Sequence, residues 1–191
     1  RGDRGGARRR GGRRGRGPGA RPDGRGGMTR VLVWILGGLV ALALAGTAAM
    51  AIWARVAPED PAAWHVDPMT AERAGSPNTA LVAPEGAAAR ADRAAPVWDA
   101  SPEAVMAAFD AAARAQPRVE RIAGGVEGLH ATYRQRSATM GWPDYVSVRA
   151  LPAEGGATLA IYSRSRFGES DFGVNAARVE AWLALTDERL R

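Results

Sequence analysis

The chain has no cysteine and only two histidines among its 191 residues, and all of its basic residues other than those histidines are arginine. The first absence excludes most: disulfides, thiolate metal sites, a cysteine nucleophile and a lipid anchor on cysteine all disappear together. The missing lysines mean little. An Arg-, Ala-, Gly- and Pro-rich composition is what GC-rich codons produce by themselves. Neither histidine has a partner at ligand spacing, since His65 and His130 are far apart in the chain, so no metal site and no cofactor are expected.

Charge is divided unevenly along the chain. The formal +6 of the whole conceals a basic beginning, because residues 1–27 hold ten Arg against Asp3 and Asp23. Beyond Arg55 the balance reverses to 14 Arg against 18 acidic residues. The folded part therefore exerts no overall pull on polyanions, and nucleic acid is not an expected partner for it.

Residues 1–27 are almost wholly Arg, Gly and Pro. Side chains that are either absent or charged build no core, so this segment reads as a disordered leader. Met28-Thr29-Arg30 directly precedes the apolar run and looks like a natural start, which makes the leader the product of a start site assigned too far upstream. The alternative is an Arg/Gly arm that binds RNA through charge and stacking.

Residues 31–54, Val31 to Ala54, contain no charge. As a helix this run covers about 36 Å, enough to cross a hydrocarbon layer of about 30 Å. Trp34 and Trp53 lie near its ends, and Arg30 and Arg55 flank it, as suits an anchor whose rings sit at the headgroup level. The positive N-terminal flank, set against Glu59 and Asp60 beyond the other end, favours a cytoplasmic N-terminus. A single-pass inner-membrane anchor with a periplasmic C-terminal domain follows. Cleavage at Ala49-Met50-Ala51 is the alternative, although a signal peptide's apolar stretch is usually only about 7–15 residues.

Residues 55–95 are Ala- and Pro-rich and read as a tether with docked pieces, among which Trp64 is expected to pack on the domain. Residues 96–191 carry the periodic patterns. Ser101-Pro102-Glu103 supplies a capping hydroxyl, Pro at the first helical position and an acid in the first turn. The helix it starts runs to about Ala115, with Val105, Phe109 and Ala112 on one face, and stops at Gln116-Pro117. Four strands follow, over 118–123, 129–137, 145–151 and 158–164, separated by glycine-bearing turns. In the second, Leu129, Ala131 and Tyr133 oppose His130, Thr132, Arg134 and Arg136; one face is core and the other is wet or a binding surface. A last helix over 174–190 puts Asn175, Val179, Trp182, Leu183, Thr186 and Leu190 on one stripe. The expected fold is α+β: an antiparallel sheet of about four strands packed by two helices, preceded by one N-terminal transmembrane helix.

Between the last strand and the last helix lies a polar run too structured for a spacer. It contains Ser163-Arg164-Ser165-Arg166, Gly168, Ser170-Asp171-Phe172-Gly173-Val174-Asn175 and then Arg178, with Pro143-Asp144 upstream. Together these residues resemble the pattern of a bacterial and plastid family known as domain of unknown function 1499. The resemblance covers roughly Pro96 to Arg191, and Ser76-Pro77-Asn78 matches an early Pro-Asn element of that family. It implies an anchored or exported α+β domain and no established activity. The chain departs from many relatives in having no cysteine near the Pro-Asn element, which removes any redox or disulfide role there.

The same residues support two readings on their own chemistry. In the first they are a lock: Asp171 accepts hydrogen bonds from the first turn of the helix, Asn175 satisfies strand-end backbone groups, and Arg164 or Arg166 pairs with Asp171 or Asp144. In the second, Arg134, Arg164, Arg166 and Arg178, with His130 and Arg136 as further contacts, form a site for an anionic ligand such as a phosphate or carboxylate. A hydrolase using His130 with Ser163 or Ser165 is a further alternative, but nothing resembles a nucleophile elbow. The expectation is a non-catalytic binding or envelope-scaffolding module whose partners are the membrane and an anionic ligand or envelope protein.

Overall fold

In the computed structural model, which describes residues 25–73, 75 and 77–191, the apolar run lies within one helix, α1 (Arg25–Val56). The leader, read above as disordered and as a candidate RNA-binding arm, lies outside the described residues as far as residue 24, and so does Ser76. Residues 27–56 are long and apolar enough to cross a membrane, about 45 Å of helix. From Val31 to Leu44 their large apolar side chains are exposed, so α1 does not pack as a core helix.

A second compact unit, residues 46–191, is built on one antiparallel sheet. Its strands are β1 (Thr79–Val82), β2 (Val97–Trp98), β3 (Val119–Gly125), β4 (His130–Arg136), β5 (Pro143–Ala153) and β6 (Gly156–Ser165). They run in the order β1-β6-β5-β4-β3, with β2 also paired to β6. The sheet therefore has six strands rather than about four. The two extra ones come from sequence that reads as linker: β1 is buried at all four positions and so shows no alternation, and β2 is two residues long. Gly156 makes the β2 approach feasible, since its φ is +134° and a Cβ there would meet the Trp98 carbonyl oxygen at 2.0 Å.

One face of the sheet is covered by α3 (Pro102–Arg114) and α4 (Val174–Leu190). The Ser101 hydroxyl accepts from the Ala104 amide at 3.2 Å, and Val105, Met106, Phe109, Ala112 and Ala113 turn the helical period toward the sheet. Of these, Val105, Met106, Phe109 and Ala113 meet Tyr133, Val146, Val148, Leu159, Ile161, Val179 and Trp182 in the main core. Phe109, Tyr133 and Trp182 form a triangle of tilted or edge-on rings with centroids 5.8–6.0 Å apart. The Tyr133 hydroxyl donates to Asp110 at 2.9 Å. That buried oxygen thus has a partner, as burial requires.

The opposite face is covered at its middle by the chain's own residues 58–69, which include the short helix α2 (Pro61–Trp64). Trp64 stacks on Tyr145 at 3.9 Å with 14° between ring planes, as expected for a docked tryptophan. Its carbonyl oxygen accepts from Ser147 at 3.0 Å and from Arg164 at 2.6 Å. This strap supplies acceptors to a face that strand alternation fills with hydroxyls, histidine and arginine.

Candidate functional site

Strand alternation separates the polar constellation into two groups on opposite faces of the sheet. Ser163 and Ser165 lie on the helix side of β6, whereas Arg164 and Arg166 lie on the strap side. Asp144 lies at the start of β5, opposite Ser165 in the ladder. Each group has its own geometry.

On the helix side the residues converge on Arg178, whose side chain is 7% exposed. Its guanidinium donates to Asp144 at 2.5 Å, to the Gln135 oxygen at 2.5 Å, to Asn175 Oδ1 at 2.6 Å and to Ser163 Oγ at 3.1 Å. Asn175 is the second hub. Its Oδ1 also accepts from the Ser163 hydroxyl at 2.6 Å, while its amide nitrogen donates to the Asn78 carbonyl at 2.8 Å, Ser165 Oγ at 3.0 Å and Asp171 at 2.7 Å. Asn78 in turn donates to the Gly168 carbonyl at 2.6 Å. One buried amide thereby joins β1, β6 and α4.

Asp171 accepts from the backbone amides of Gly173 at 3.0 Å and Asn175 at 2.8 Å, which satisfies the first turn of α4 as the sequence suggested. Burial alone would raise its carboxyl, but the Asn175 and Gly173 amides outweigh that and hold it below the usual carboxylate value. Ser170 is exposed, and its Oγ accepts from the Phe172 amide at 3.3 Å. Where the lock reading named Arg164 or Arg166 as the partner of Asp144 or Asp171, the arginine that pairs with Asp144 is Arg178. The physical reason is the alternation of β6, which sends Arg164 to the other side, where Arg166, just past the strand's end, also lies.

On the strap side Arg164, 8% exposed, lies over the Trp64 and Tyr162 rings at 5.2 and 4.8 Å. Arg166 donates to the Pro58 carbonyl at 2.9 Å. Arg134 is paired with Glu59 and Glu120, Arg136 lies 3.7 Å from Glu59, and Arg149 is paired with Asp67. Burial, and then the Glu59 carboxylate beside it, push the Tyr145 phenol up to about 12. The four arginines Arg134, Arg164, Arg166 and Arg178 are thus not one site, because Arg178 is separated from the others by the sheet. The same separation keeps His130 from Ser163 and Ser165, so the dyad that a serine hydrolase requires is not assembled.

His130 instead stacks on His65 at 3.9 Å, a pairing that sequence spacing did not reveal. His65 Nδ1 lies 2.9 Å from Thr132 Oγ1, and His130 Nε2 lies 3.0 Å from the Val66 carbonyl. Burial and then the neighbouring His130 lower the His65 pKa below its ordinary 6.5. The strap-open state therefore binds protons more readily than the closed state between those two values. The contribution of this contact is complete above about pH 6.5 and is lost as the pH falls through the lowered value. Amide exchange across residues 62–68 is expected to speed up from pH 7.5 to pH 5 beyond the intrinsic pH trend, and His65→Gln is expected to remove that excess. Equal excess in both proteins would contradict it.

A family model described as a protein of unknown function (DUF1499) matches residues 69–185 of the chain. No curated protein matches it, and neither does any solved structure.

Proposed function

The chain belongs to the DUF1499 family of proteins of unknown function, and we propose that it is a membrane-anchored, periplasm-facing binding or envelope-scaffolding domain without catalytic activity. The observation that carries this reading is the helix over residues 27–56, long and apolar enough to cross a membrane, whose end continues directly into the folded unit. Arg136 donates to the Ala54 carbonyl at 3.0 Å, Arg55 to the Met140 carbonyl at 2.9 Å, and Arg166 to the Pro58 carbonyl at 2.9 Å. Trp53 packs on Phe167 with ring centroids 5.2 Å apart.

These attachments begin beyond Ala49-Met50-Ala51, so what favours an anchor over a cleaved signal is the length of the uncharged run, Val31 to Ala54, against the usual apolar stretch of about 7–15 residues. The charge pattern supports export of the C-terminal side, with Arg30 before the span and, after it, Arg55 soon followed by Glu59 and Asp60. Against catalysis stands the occupation of the corner's groups. The Ser163 hydroxyl donates to Asn175 and accepts from Arg178, so it serves the fold rather than a substrate.

Cell fractionation tests the reading. The full chain is expected in the membrane pellet after alkaline carbonate washing, and its C-terminal domain is expected to be digested by protease added outside the inner membrane of intact spheroplasts. Recovery in the soluble fraction, or protection until the spheroplasts are lysed, would overturn it.

A further inference from the structure

We infer that an arginine pocket beside the C-terminal end of α1 binds a phosphate group, and that its occupant in the anchored protein is the phosphate of a membrane phospholipid. The pocket has a volume of about 330 Å³, and Arg55, Arg118, Arg134 and Arg136 line it together with Glu120 and Gly141. That volume falls within the usual range of small-ligand sites, about 300–1,000 Å³. The lipid assignment rests on the anchored reading above; the phosphate assignment does not.

The cations of the pocket are incompletely neutralised. Glu59 and Glu120 neutralise Arg134, and Glu59 is shared with Arg136. Among the described residues, Arg55 and Arg118 have no carboxylate within 4.0 Å. The pocket accordingly keeps an excess of positive charge although the domain as a whole is acidic. Burial, and then the charge of Arg134, hold the Arg136 guanidinium below its ordinary value, and a ligand anion would offset the second of these causes.

Two of these cations are held in place by backbone carbonyls. Arg55 is tied through one nitrogen to the Ala51 and Met140 carbonyls at 2.8 and 2.9 Å, and Arg118 through Nε to the Arg136 carbonyl at 3.0 Å. A guanidinium carries five N–H donors, so several remain for the oxygens of a ligand. Gly141, at φ +74°, admits this arrangement: a Cβ there would lie 2.7 Å from the Arg55 guanidinium carbon. Arg118 itself has φ 59°, a left-handed conformation that favours glycine, yet a cation occupies the position.

Location identifies the source of the phosphate. Arg55 belongs to the last turn of the apolar helix, so covalent connection alone sets it within one turn of where a spanning segment reaches the headgroups. Aromatic side chains mark the same neighbourhood. Trp53 is half exposed and packs on Phe167, and Phe172, in the loop that carries Phe167, is 97% exposed. Rings at this level suit a lipid interface, and a guanidinium cluster suits its phosphates.

The test uses the full chain in a maltoside detergent, which contains no phosphate. Dihexanoyl phosphatidylglycerol, dihexanoylglycerol and inorganic phosphate are titrated separately by calorimetry against the wild type, Arg118→Gly and Arg55→Gln/Arg118→Gly. Arg118→Gly is the safeguard, because glycine accepts the left-handed backbone and should not unfold the domain. The phospholipid is expected to bind, dihexanoylglycerol is not, and the double variant is expected to lose affinity about tenfold or more. Wild-type affinity in both variants, or no phospholipid binding at all, overturns the site. Inorganic phosphate binding as tightly as the phospholipid overturns the lipid as occupant. Since these probes are soluble, failure here is distinct from failure of the anchoring experiment.

Discussion

Replacing Asp144 by Ala is expected to destabilise the domain by about 3–5 kcal/mol, because it strands the Arg178 charge inside the fold. The side chains of Asp144 and Arg178 are only 16% and 7% exposed, and their charged atoms are 2.5 Å apart. Screening by solvent is slight there. A loss of that size lowers the melting temperature on the order of 10 °C for a unit of this length, which thermal unfolding by circular dichroism will resolve. The double variant Asp144→Leu/Arg178→Met is expected to recover much of the loss, since removing both charges leaves none unpaired. Should Asp144→Ala melt within a degree or two of the wild type, the corner is not what holds α4 to the sheet.

Trp182→Ala is expected to be comparably severe, about 3–5 kcal/mol. Trp182 is 2% exposed and touches the rings of both Phe109 and Tyr133. Truncation would remove the contact that joins α4, α3 and β4 and leave a cavity whose walls are held by other elements. The Tyr133 hydroxyl, fixed on Asp110, limits how far the sheet can collapse into that space. Chemical denaturation checks the magnitude, and an unchanged dependence on denaturant would show that the loss is in stability and not in the extent of the folded unit. A cost near 1 kcal/mol would mean that the core relaxes around the missing ring.

Both predictions concern α4, whose buried side was largely legible in the chain. Asn175, Val179, Trp182, Leu183 and Thr186 recur at helical spacing and are buried. Arg178 is buried on the same side, and nothing in its own residue type announced that. The start of α3 was equally plain: the Ser101 hydroxyl, Pro102 and Glu103 act within one turn, and the cap forms where those residues predict it. The four longer strands fell where alternation and glycine turns placed them, to within a few residues. β1 and β2 did not show, because a strand buried on both sides has no period and a two-residue strand has no pattern at all.

The candidate site was legible in membership more than in pairing. Asp144, Ser163, Ser165, Asp171, Asn175 and Arg178 do meet on one side of the sheet, with Gln135 and Asn78 joining them. Alternation along β6 already excluded Arg164 and Arg166 from that side, but choosing Arg178 required knowing that packing of α4 brings it within reach of Asp144. The stacked histidines were less accessible still, since residues 65 and 130 are far apart in the chain and only the strap brings them to 3.9 Å.

The amino-acid order by itself determined the uncharged helix, the caps, the strand faces and the absence of cysteine chemistry, because each depends on residues within a turn or a pleat of one another. Tertiary structure decided which arginine neutralises Asp144, what covers the second face of the sheet, and which cations gather beside Arg55. Those outcomes depend on burial and charge pairing between segments 34 to 108 residues apart, and neither acts until the sheet has brought the segments together.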